Sequence, residues 1–322
     1  MVVPMVAACT TEPTRSAEST TTSVPITATA ASAVPSTVPS TAAATATTTD
    51  PNVPCVGATA NSVPVQQVVW IVMENHTRQQ VLDDLAAPYV PALARACATA
   101  SDYHSVGSPS LPNYMGATSG STYHIGDDNP PSAHPLTGDN LFRQVRVSGR
   151  RAVSYEESMP RPCALTGSGR YAVRHNPATY YSRLDDRDAC TSDDVPLGSP
   201  DSGALADTID ADALPAFTFI TPDLCNDTHD CSVATGDAWL ARWVPRLLAS
   251  APYRRGTMVL FVVWDEPSPM PFLAVTATIT PGTVVAGTVD HFALLRTTES
   301  LLGLPLLGAA QQATDMRAAL GR

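Results

Sequence analysis

Apolar runs alternate along this chain with amphipathic segments. Residues 65–73, apart from Gln66 and Gln67, and residues 258–264 are apolar runs rich in β-branched side chains, which are typical of strands buried on both faces of a sheet. Shorter runs predict strands at residues 152–155, 216–221 and 272–279. Apolar spacing and capping residues predict helices at residues 88–98, 111–119, 140–147 (with Asp139 as N-cap), 236–250 and 291–302. This alternation predicts an α/β fold, a three-layer sandwich with a mainly parallel central sheet.

Two stretches interrupt the alternation. Residues 10–54 consist mainly of Thr, Ala, Ser, Pro and Val, which cannot bury enough apolar surface to offset their ordering entropy. We expect a disordered, extended linker there, followed by one compact domain over residues 55–322. Residues 160–202 are polar and rich in Asp, Arg and Pro, which predicts a long excursion outside the core.

The net charge of the chain limits the classes of partner that it is expected to bind. The net charge is −11 and there is no basic run, which argues against nucleic acid as a partner. An acidic surface is also a poor match to anionic membranes. The net charge does not indicate the charge of the substrate, because a bound metal ion can reverse the electric field inside a cleft.

The cysteines indicate an oxidising compartment. Six of the seven lie in the predicted domain and could form three disulfides. The short intervening loop favours Cys225 with Cys231. Proximity in sequence then suggests Cys163 with Cys190 and Cys55 with Cys97, although the connectivity stays open.

Cys9 stands apart from these six. The segment Val6-Ala7-Ala8-Cys9 resembles a bacterial lipobox, which would make residues 1–9 the remnant of a signal peptide and Cys9 a lipid anchor. The basic region that normally precedes such a segment is missing, so a stray cysteine in a truncated signal peptide is the alternative. Together with the disulfides this predicts an extracytoplasmic protein, secreted or lipid-anchored at a bacterial cell surface.

Carboxylates follow three of the predicted strands. Glu74 and Asn75 follow the first strand, Asp223 follows the strand at 216–221, and Asp265 and Glu266 follow the strand at 258–264. Ligand sites of open α/β sheets lie off the carboxyl ends of the strands, so we expect these side chains to converge. Converging carboxylates repel unless a cation lies between them, and oxygen ligands suit a divalent metal ion. Each acid taken alone could instead be a solvated loop residue or a helix cap.

Ser110 is the candidate nucleophile. It lies where a Pro-rich loop opens onto the helix predicted at 111–119, near backbone N–H groups that favour an anion. A metal ion would lower the pKa of its hydroxyl. The alternative is that Ser110 only caps the helix, and spacing does not separate the two.

Five segments together resemble the bacterial and fungal phosphoesterase family, which contains acid phosphatases and phosphocholine-type phospholipases C and belongs to the alkaline phosphatase superfamily. The resemblance covers essentially all of residues 63–305. The segments, in chain order, are Met73-Glu74-Asn75-His76, Pro109-Ser110-Leu111-Pro112-Asn113-Tyr114, residues 220–231, Val263-Trp264-Asp265-Glu266 and residues 290–297.

The resemblance implies roles for particular residues. Ser110 would form a phosphoserine intermediate, and a divalent metal ion would be bound by Glu74, Asn75, Asp265 and Glu266, with Asp223 as a further candidate. Substrate-binding roles fall on Asn113, Asp128 and Asn129, the last two toward the phosphoryl oxygens. His229 and His291 would be metal ligands or proton donors, although His229 could be a structural partner and His291 a helix cap. Four other histidines are expected outside the site: His76, His104, His124 and His175.

One departure from the family concerns the loop after Glu266. The family commonly has glycines there, whereas this chain has Pro267 and Pro269, which stiffen the backbone and remove N–H donors. The resemblance implies hydrolysis of a small phosphate monoester. The alternatives are phosphodiesterase or phospholipase C activity, and a catalytically inactive surface-binding protein of the same fold.

Overall fold

In the computed structural model, residues 54–57 and 63–322 are described. The predicted linker and Cys9 lie outside these residues, apart from Pro54 at the linker's end. The described part of the chain has eight strands: β1 Gln67–Met73, β2 Ala98–His104, β3 Ala152–Glu156, β4 Asp194–Pro196, β5 Phe217–Thr221, β6 Met258–Trp264, β7 Phe272–Val275 and β8 Thr283–Asp290. Its α-helices are α1 Arg78–Leu82, α2 Tyr89–Ala96, α3 Ser110–Ser119, α4 Leu141–Val147, α5 Leu184–Asp193, α6 Ala204–Asp210, α7 Val233–Leu248, α8 Ala251–Arg254 and α9 His291–Leu302. No helix among the described residues is both long and apolar enough to cross a membrane.

The strands form one sheet in the order β4-β3-β5-β1-β6-β7-β2-β8. Every pairing is parallel except those of β7, which runs antiparallel to β6 and β2. The carboxyl ends of β1, β5 and β6 therefore meet at one edge, as the sequence predicts. The expected mainly parallel sheet of an α/β fold is confirmed.

Helices cover both faces because side chains alternate along each strand. On one face Trp70 packs edge-on against Phe217, and its Nε1 donates to Thr298 of α9. Phe142 of α4 packs against the same phenylalanine. On the other face the Met73 side chain reaches so close to Gly236 of α7 that a Cβ there would lie 2.9 Å from it. The result is the predicted three-layer sandwich.

Several sequence predictions need correction. The excursion at residues 160–202 contributes α5 and the edge strand β4, together with buried side chains such as His175 and Asn176. Strands β2 and β8 were not predicted, and the strand predicted at 272–279 ends at Val275. The N-cap of α4 is Asn140, since its side chain accepts from Arg143 N, whereas Asp139 accepts from Asn140 N.

Three disulfides connect the described residues as the sequence suggests: Cys55–Cys97, Cys163–Cys190 and Cys225–Cys231. Cys163–Cys190 joins two parts of the excursion next to β4. Cys225–Cys231 closes the loop that follows β5. Such bonds form in oxidising compartments, which supports an extracytoplasmic location.

A pair of buried carboxyl groups lies where β3 and β4 adjoin. Glu156 and Asp194 are both buried, with Ser154 donating to Glu156 and Asn176 Nδ2 donating to both Asp194 oxygens. Burial is the main cause that raises the pKa of Glu156 well above its usual value and that of Asp194 to about 7. Near neutral pH, the folded protein therefore keeps protons on these carboxyl groups that the unfolded chain releases.

We expect Glu156→Gln to change how stability depends on pH. The raised pKa of Glu156 stabilises the folded state most below about pH 4, the pKa range of an unfolded carboxyl, and this contribution is lost as pH rises, at up to about 1.4 kcal/mol per pH unit. Gln keeps the acceptor for Ser154 and cannot ionise. Thermal unfolding should give similar midpoints at pH 4, with the variant roughly 5 °C higher at pH 8. Asp193→Asn, which removes a surface ion pair with Arg151, is the control and should show no such divergence. Parallel curves for Glu156→Gln and wild type would contradict the raised pKa of Glu156.

Candidate active site

The site is built on the adjacent ends of β1 and β6. Met73 and Trp264 are register partners, so the next residues, Glu74 and Asp265, emerge side by side. Asp265 Oδ1 accepts from the backbone N–H of Asn75 at 3.2 Å. The convergence of these acids that the sequence predicts is thus present, and both carboxylates are buried.

Ser110 is the first residue of α3 and points at this pair. Its Oγ donates to Glu74 Oε2 at 3.0 Å, and Tyr114, one turn further on, donates to Glu74 Oε1. The N-cap residue of α3 is Pro109. The backbone N–H of Leu111, in the first turn of the helix, donates to Asp128 at 2.9 Å. The alternative in which Ser110 only caps the helix is therefore not what the structure shows.

His175 and Asp227 complete the buried centre. The His175 ring lies between two carboxylates, with Nε2 at 3.4 Å from Glu74 Oε1 and Nδ1 at 3.3 Å from Asp227 Oδ2. It stacks on Tyr114 with ring centroids 5.3 Å apart. The sequence analysis left His175 outside the site, because nothing in the polar excursion marks it as buried. Burial lowers the pKa of His175 well below its usual value, which favours the neutral imidazole.

The repulsion between the buried carboxylates of this centre favours a bound cation. Burial, and next the neighbouring carboxylates, raise the pKa of Glu74 well above its usual value. Burial is also the main cause that raises the pKa of Asp265 to about 7 and that of Asp227 to about 8. Among the described residues, Asp265 Oδ2 and Asp227 Oδ2 are buried without a hydrogen-bond partner. Buried, mutually repelling carboxylate oxygens that lack donors fit a divalent metal ion.

A tighter group of ligand atoms lies elsewhere in the described chain and does not fit a metal. The ligand atoms of Cys163, Cys190 and Asp194 lie within 4.8 Å of one another, but the two sulfurs form a disulfide and are not free to bind. The carboxylates at the sheet edge are spread more widely than this group. We nevertheless favour them as the metal site, since two of their oxygens lack hydrogen-bond partners and the Ser110 hydroxyl donates to Glu74.

The remaining acids predicted as metal ligands lie further out. Asp223 shapes the loop after β5, because its Oδ1 accepts from the backbone N–H groups of Cys225 and Asn226 and its Oδ2 from Ser158. Asp227 rather than Asp223 reaches the buried centre. Glu266 is half-buried at the mouth, where burial raises its pKa and a hydrogen bond with Ser108 opposes that rise.

His291 lies beneath the site with both ring nitrogens engaged. Its Nε2 donates to the carbonyl oxygen of Asp265 at 2.8 Å, and its Nδ1 accepts from the Tyr103 hydroxyl at 2.7 Å. Burial lowers its pKa to about 4, so the ring is neutral. The cap of α9 is Asp290, whose side chain accepts from Ala293 N. These contacts indicate that His291 positions Asp265.

His229 lies nearer the solvent, in the loop closed by Cys225–Cys231. Its Nδ1 is 2.7 Å from Asp230, and its Nε2 accepts from the Arg174 guanidinium at 3.0 Å. Arg174 comes from the excursion and was not predicted. It brings a positive charge to a site that is otherwise dominated by carboxylates.

The three predicted substrate-binding residues lie at different distances from the solvent and do not form one group. Asn113 is buried, and its Oδ1 accepts from the backbone N–H groups of Val106 and Gly107, so it fixes the loop before the nucleophile. Asp128 is at the mouth, hydrogen-bonded to Leu111 N and 3.7 Å from Arg174 Nε. Asn129 is exposed, with its backbone carbonyl accepting from Tyr180.

The segment Pro267–Pro269, where this chain departs from the family, forms a loop that hydrogen bonds hold in place. Ser268 Oγ accepts from Ser105 N at 2.8 Å, and the Pro269 carbonyl accepts from Arg78 N at 2.8 Å. These bonds tie the loop to the end of β2 and the start of α1. The loop leaves Asp265 and Glu266 at the sheet edge, so the prolines do not dismantle the site.

Comparisons with known proteins agree with this geometry. The sequence model of the Phosphoesterase family matches residues 57–305. Phosphatidylinositol-3-phosphatase of Mycobacterium tuberculosis is 30% identical over 272 residues, which are 81% of this chain and 85% of that protein. Phosphate-repressible acid phosphatase of Penicillium chrysogenum is 26% identical over 67% of this chain, which spans only 54% of the fungal protein.

Solved structures share the fold at low sequence identity. A protein of the alkaline phosphatase superfamily from Vibrio parahaemolyticus superposes with a TM-score of 0.54 at 12% identity, covering 80% of this chain and 72% of that one. The lipoteichoic acid synthase LtaP of Listeria monocytogenes gives a TM-score of 0.53 at 11% identity, covering 78% and 75%. At these identities the likeness concerns the fold alone.

Proposed function

Since this chain belongs to the Phosphoesterase family and is a phosphoric ester hydrolase, we propose that it hydrolyses phosphate monoesters through a phosphoserine intermediate on Ser110. The observation that carries the proposal is the Ser110 hydroxyl, which donates to a buried Glu74 beside carboxylate oxygens that lack partners. The phosphatase names of its relatives support a monoester over a diester.

The metal would be held at the sheet edge by Glu74, Asn75, Asp265 and Glu266. We propose Asp227 in the place for which Asp223 was predicted, because its free oxygen lies in the buried centre. When bound, a divalent cation there supplies positive charge to the Ser110 hydroxyl and to the phosphoryl oxygens.

The chain's own residues would carry the reaction as follows. Ser110 Oγ attacks phosphorus in line with the leaving oxygen while Glu74 Oε2 holds the hydroxyl proton. The P–O bond to the alcohol breaks, and the phosphoserine is then hydrolysed by water. Of the site imidazoles His175, His229 and His291, His229 is the most exposed. It would protonate the leaving oxygen, which requires a proton on Nε2 in place of the hydrogen bond from Arg174.

The proposed setting is extracytoplasmic, with a small phosphorylated molecule as substrate. The disulfides support that location. The lipid anchor at Cys9 stays a prediction.

Hydrolysis of p-nitrophenyl phosphate by the full chain, with and without chelator, tests the proposal. We expect release of p-nitrophenol that falls by about 100-fold or more on chelation, since metal contributions amount to several kcal/mol and each 1.36 kcal/mol is tenfold in rate. Adding back divalent cations one at a time should restore it and identify the metal.

Bis(p-nitrophenyl) phosphate is the matched diester control. Faster hydrolysis of the diester would favour the phosphodiesterase alternative. A folded, metal-loaded protein that hydrolyses neither ester would favour the inactive surface-binding protein.

A further inference from the structure

A cavity adjoins the active site on the side of the excursion. Its volume is about 300 Å³, and it is lined by the turn at residues 167–169, by Tyr171 and Leu224, and by Asp128 and Arg174. Small-ligand sites begin at about this size, so the cavity could hold one aromatic or sugar ring. The proposed chemistry at Ser110 does not use this space.

Contacts between side chains connect the cavity to the nucleophile. Asp128 accepts from Leu111 N, the residue next to Ser110, and lies 3.7 Å from Arg174 Nε. Arg174 donates to His229, whose ring centroid is 5.7 Å from that of His175. His175 in turn lies 3.4 Å from Glu74, the acceptor of the Ser110 hydroxyl. The cavity therefore begins at the rim of the site, next to the histidine proposed for the leaving oxygen.

Arg174 gives this cavity its chemical character. The charged residues of the cavity wall are Arg174 and Asp128, which form a long ion pair at 3.7 Å without a hydrogen bond. One guanidinium nitrogen donates to His229, and a guanidinium has five N–H donors in all. A planar fork of donors matches a carboxylate or a phosphate better than any neutral group.

We propose that this cavity receives the alcohol part of the substrate, and that Arg174 selects phosphate monoesters whose leaving group carries a second anionic group. This inference rests on the proposed function and adds the substrate class to it. Arg174 is thus a specificity residue for the leaving group, distinct from the groups that act on the transferred phosphoryl. The second anion could be a carboxylate or a further phosphate, since the guanidinium recognises both.

The test compares two esters that differ in one anion. We expect wild-type kcat/KM to be higher for 4-carboxyphenyl phosphate than for phenyl phosphate, and Arg174→Gln to reduce that ratio by about 10-fold or more. The difference in leaving-group acidity between the two phenols cancels when the ratio is compared between variants. Arg170→Gln is the matched control: it removes the same charge from an exposed position four residues away and should leave the ratio unchanged.

Other outcomes would overturn the inference. An equal loss on both esters in Arg174→Gln would mean that Arg174 acts on the transferred phosphoryl group. A wild-type enzyme that hydrolyses phenyl phosphate without preferring the carboxylated ester would reject the selectivity while leaving the proposed function intact. Absence of hydrolysis of either ester would instead reject the proposed function.

Discussion

Ser110→Ala should abolish turnover, with kcat falling by about 10³-fold or more, because the nucleophile is removed. The fold should persist, since the change deletes one hydroxyl at the start of α3 and leaves its buried backbone in place. Acid-quenched wild-type enzyme should gain the mass of one phosphoryl group on turnover, and the variant should not. These measurements separate loss of the nucleophile from loss of structure.

Ser119→Ala provides the matched control on the same helix. Ser119 is also buried, but its hydroxyl donates to the Met115 carbonyl and not to a site carboxylate. We expect near wild-type kcat in that variant. Turnover and phosphorylation that persist in Ser110→Ala would remove Ser110 from the nucleophile role.

Asp265→Asn should separate the stability of the metal-free protein from its activity. Asn keeps an oxygen for the N–H of Asn75 but removes one of the buried charges that repel Glu74 and Asp227. The metal-free variant should therefore unfold roughly 3–6 °C above metal-free wild type at pH 8, for about 1–2 kcal/mol of relieved repulsion. Its kcat/KM should fall by about 100-fold or more, and added metal should no longer raise its unfolding temperature.

Asp237→Asn is the control for the loss of a buried carboxylate. Asp237 accepts from the backbone N–H groups of Tyr89 and Val90, so it caps the start of α2 instead of facing the site carboxylates. That variant should be less stable than wild type in the metal-free state and should keep its metal response. If Asp265→Asn behaved in the same way, the carboxylates at the sheet edge would not be a metal site.

The sequence by itself determined the central strands and the family, and it suggested the disulfide pairing that the structure has. The apolar runs of β1 and β6 leave no polar face, so only a buried sheet position satisfies them. The acids that follow these runs must share one edge once the strands are parallel, which is why Glu74 and Asp265 could be paired in advance. The resemblance carried by the five segments is confirmed by the match over residues 57–305.

Strands β2 and β8, neighbours at one end of the sheet, could not be predicted from the sequence pattern. In β8 only Val285 and Val289 are buried, so its hydrophobic signal is weak. β2 carries polar residues such as Asp102, and the apolar residues before it continue the pattern of α2. Both strands owe their structure to pairing with distant neighbours, a tertiary interaction that local composition does not encode.

Only the tertiary structure decided which polar residues join the site. His175 and Arg174 belong to a polar excursion, and their places between Glu74, Asp227 and Asp128 depend on how that segment folds over the sheet edge. Asp223 and Asp227 are four residues apart, and the path of the disulfide loop alone decides which one reaches Glu74. Periodicity reports the burial of a regular element, whereas side chains of an irregular loop are positioned by contacts distant in sequence.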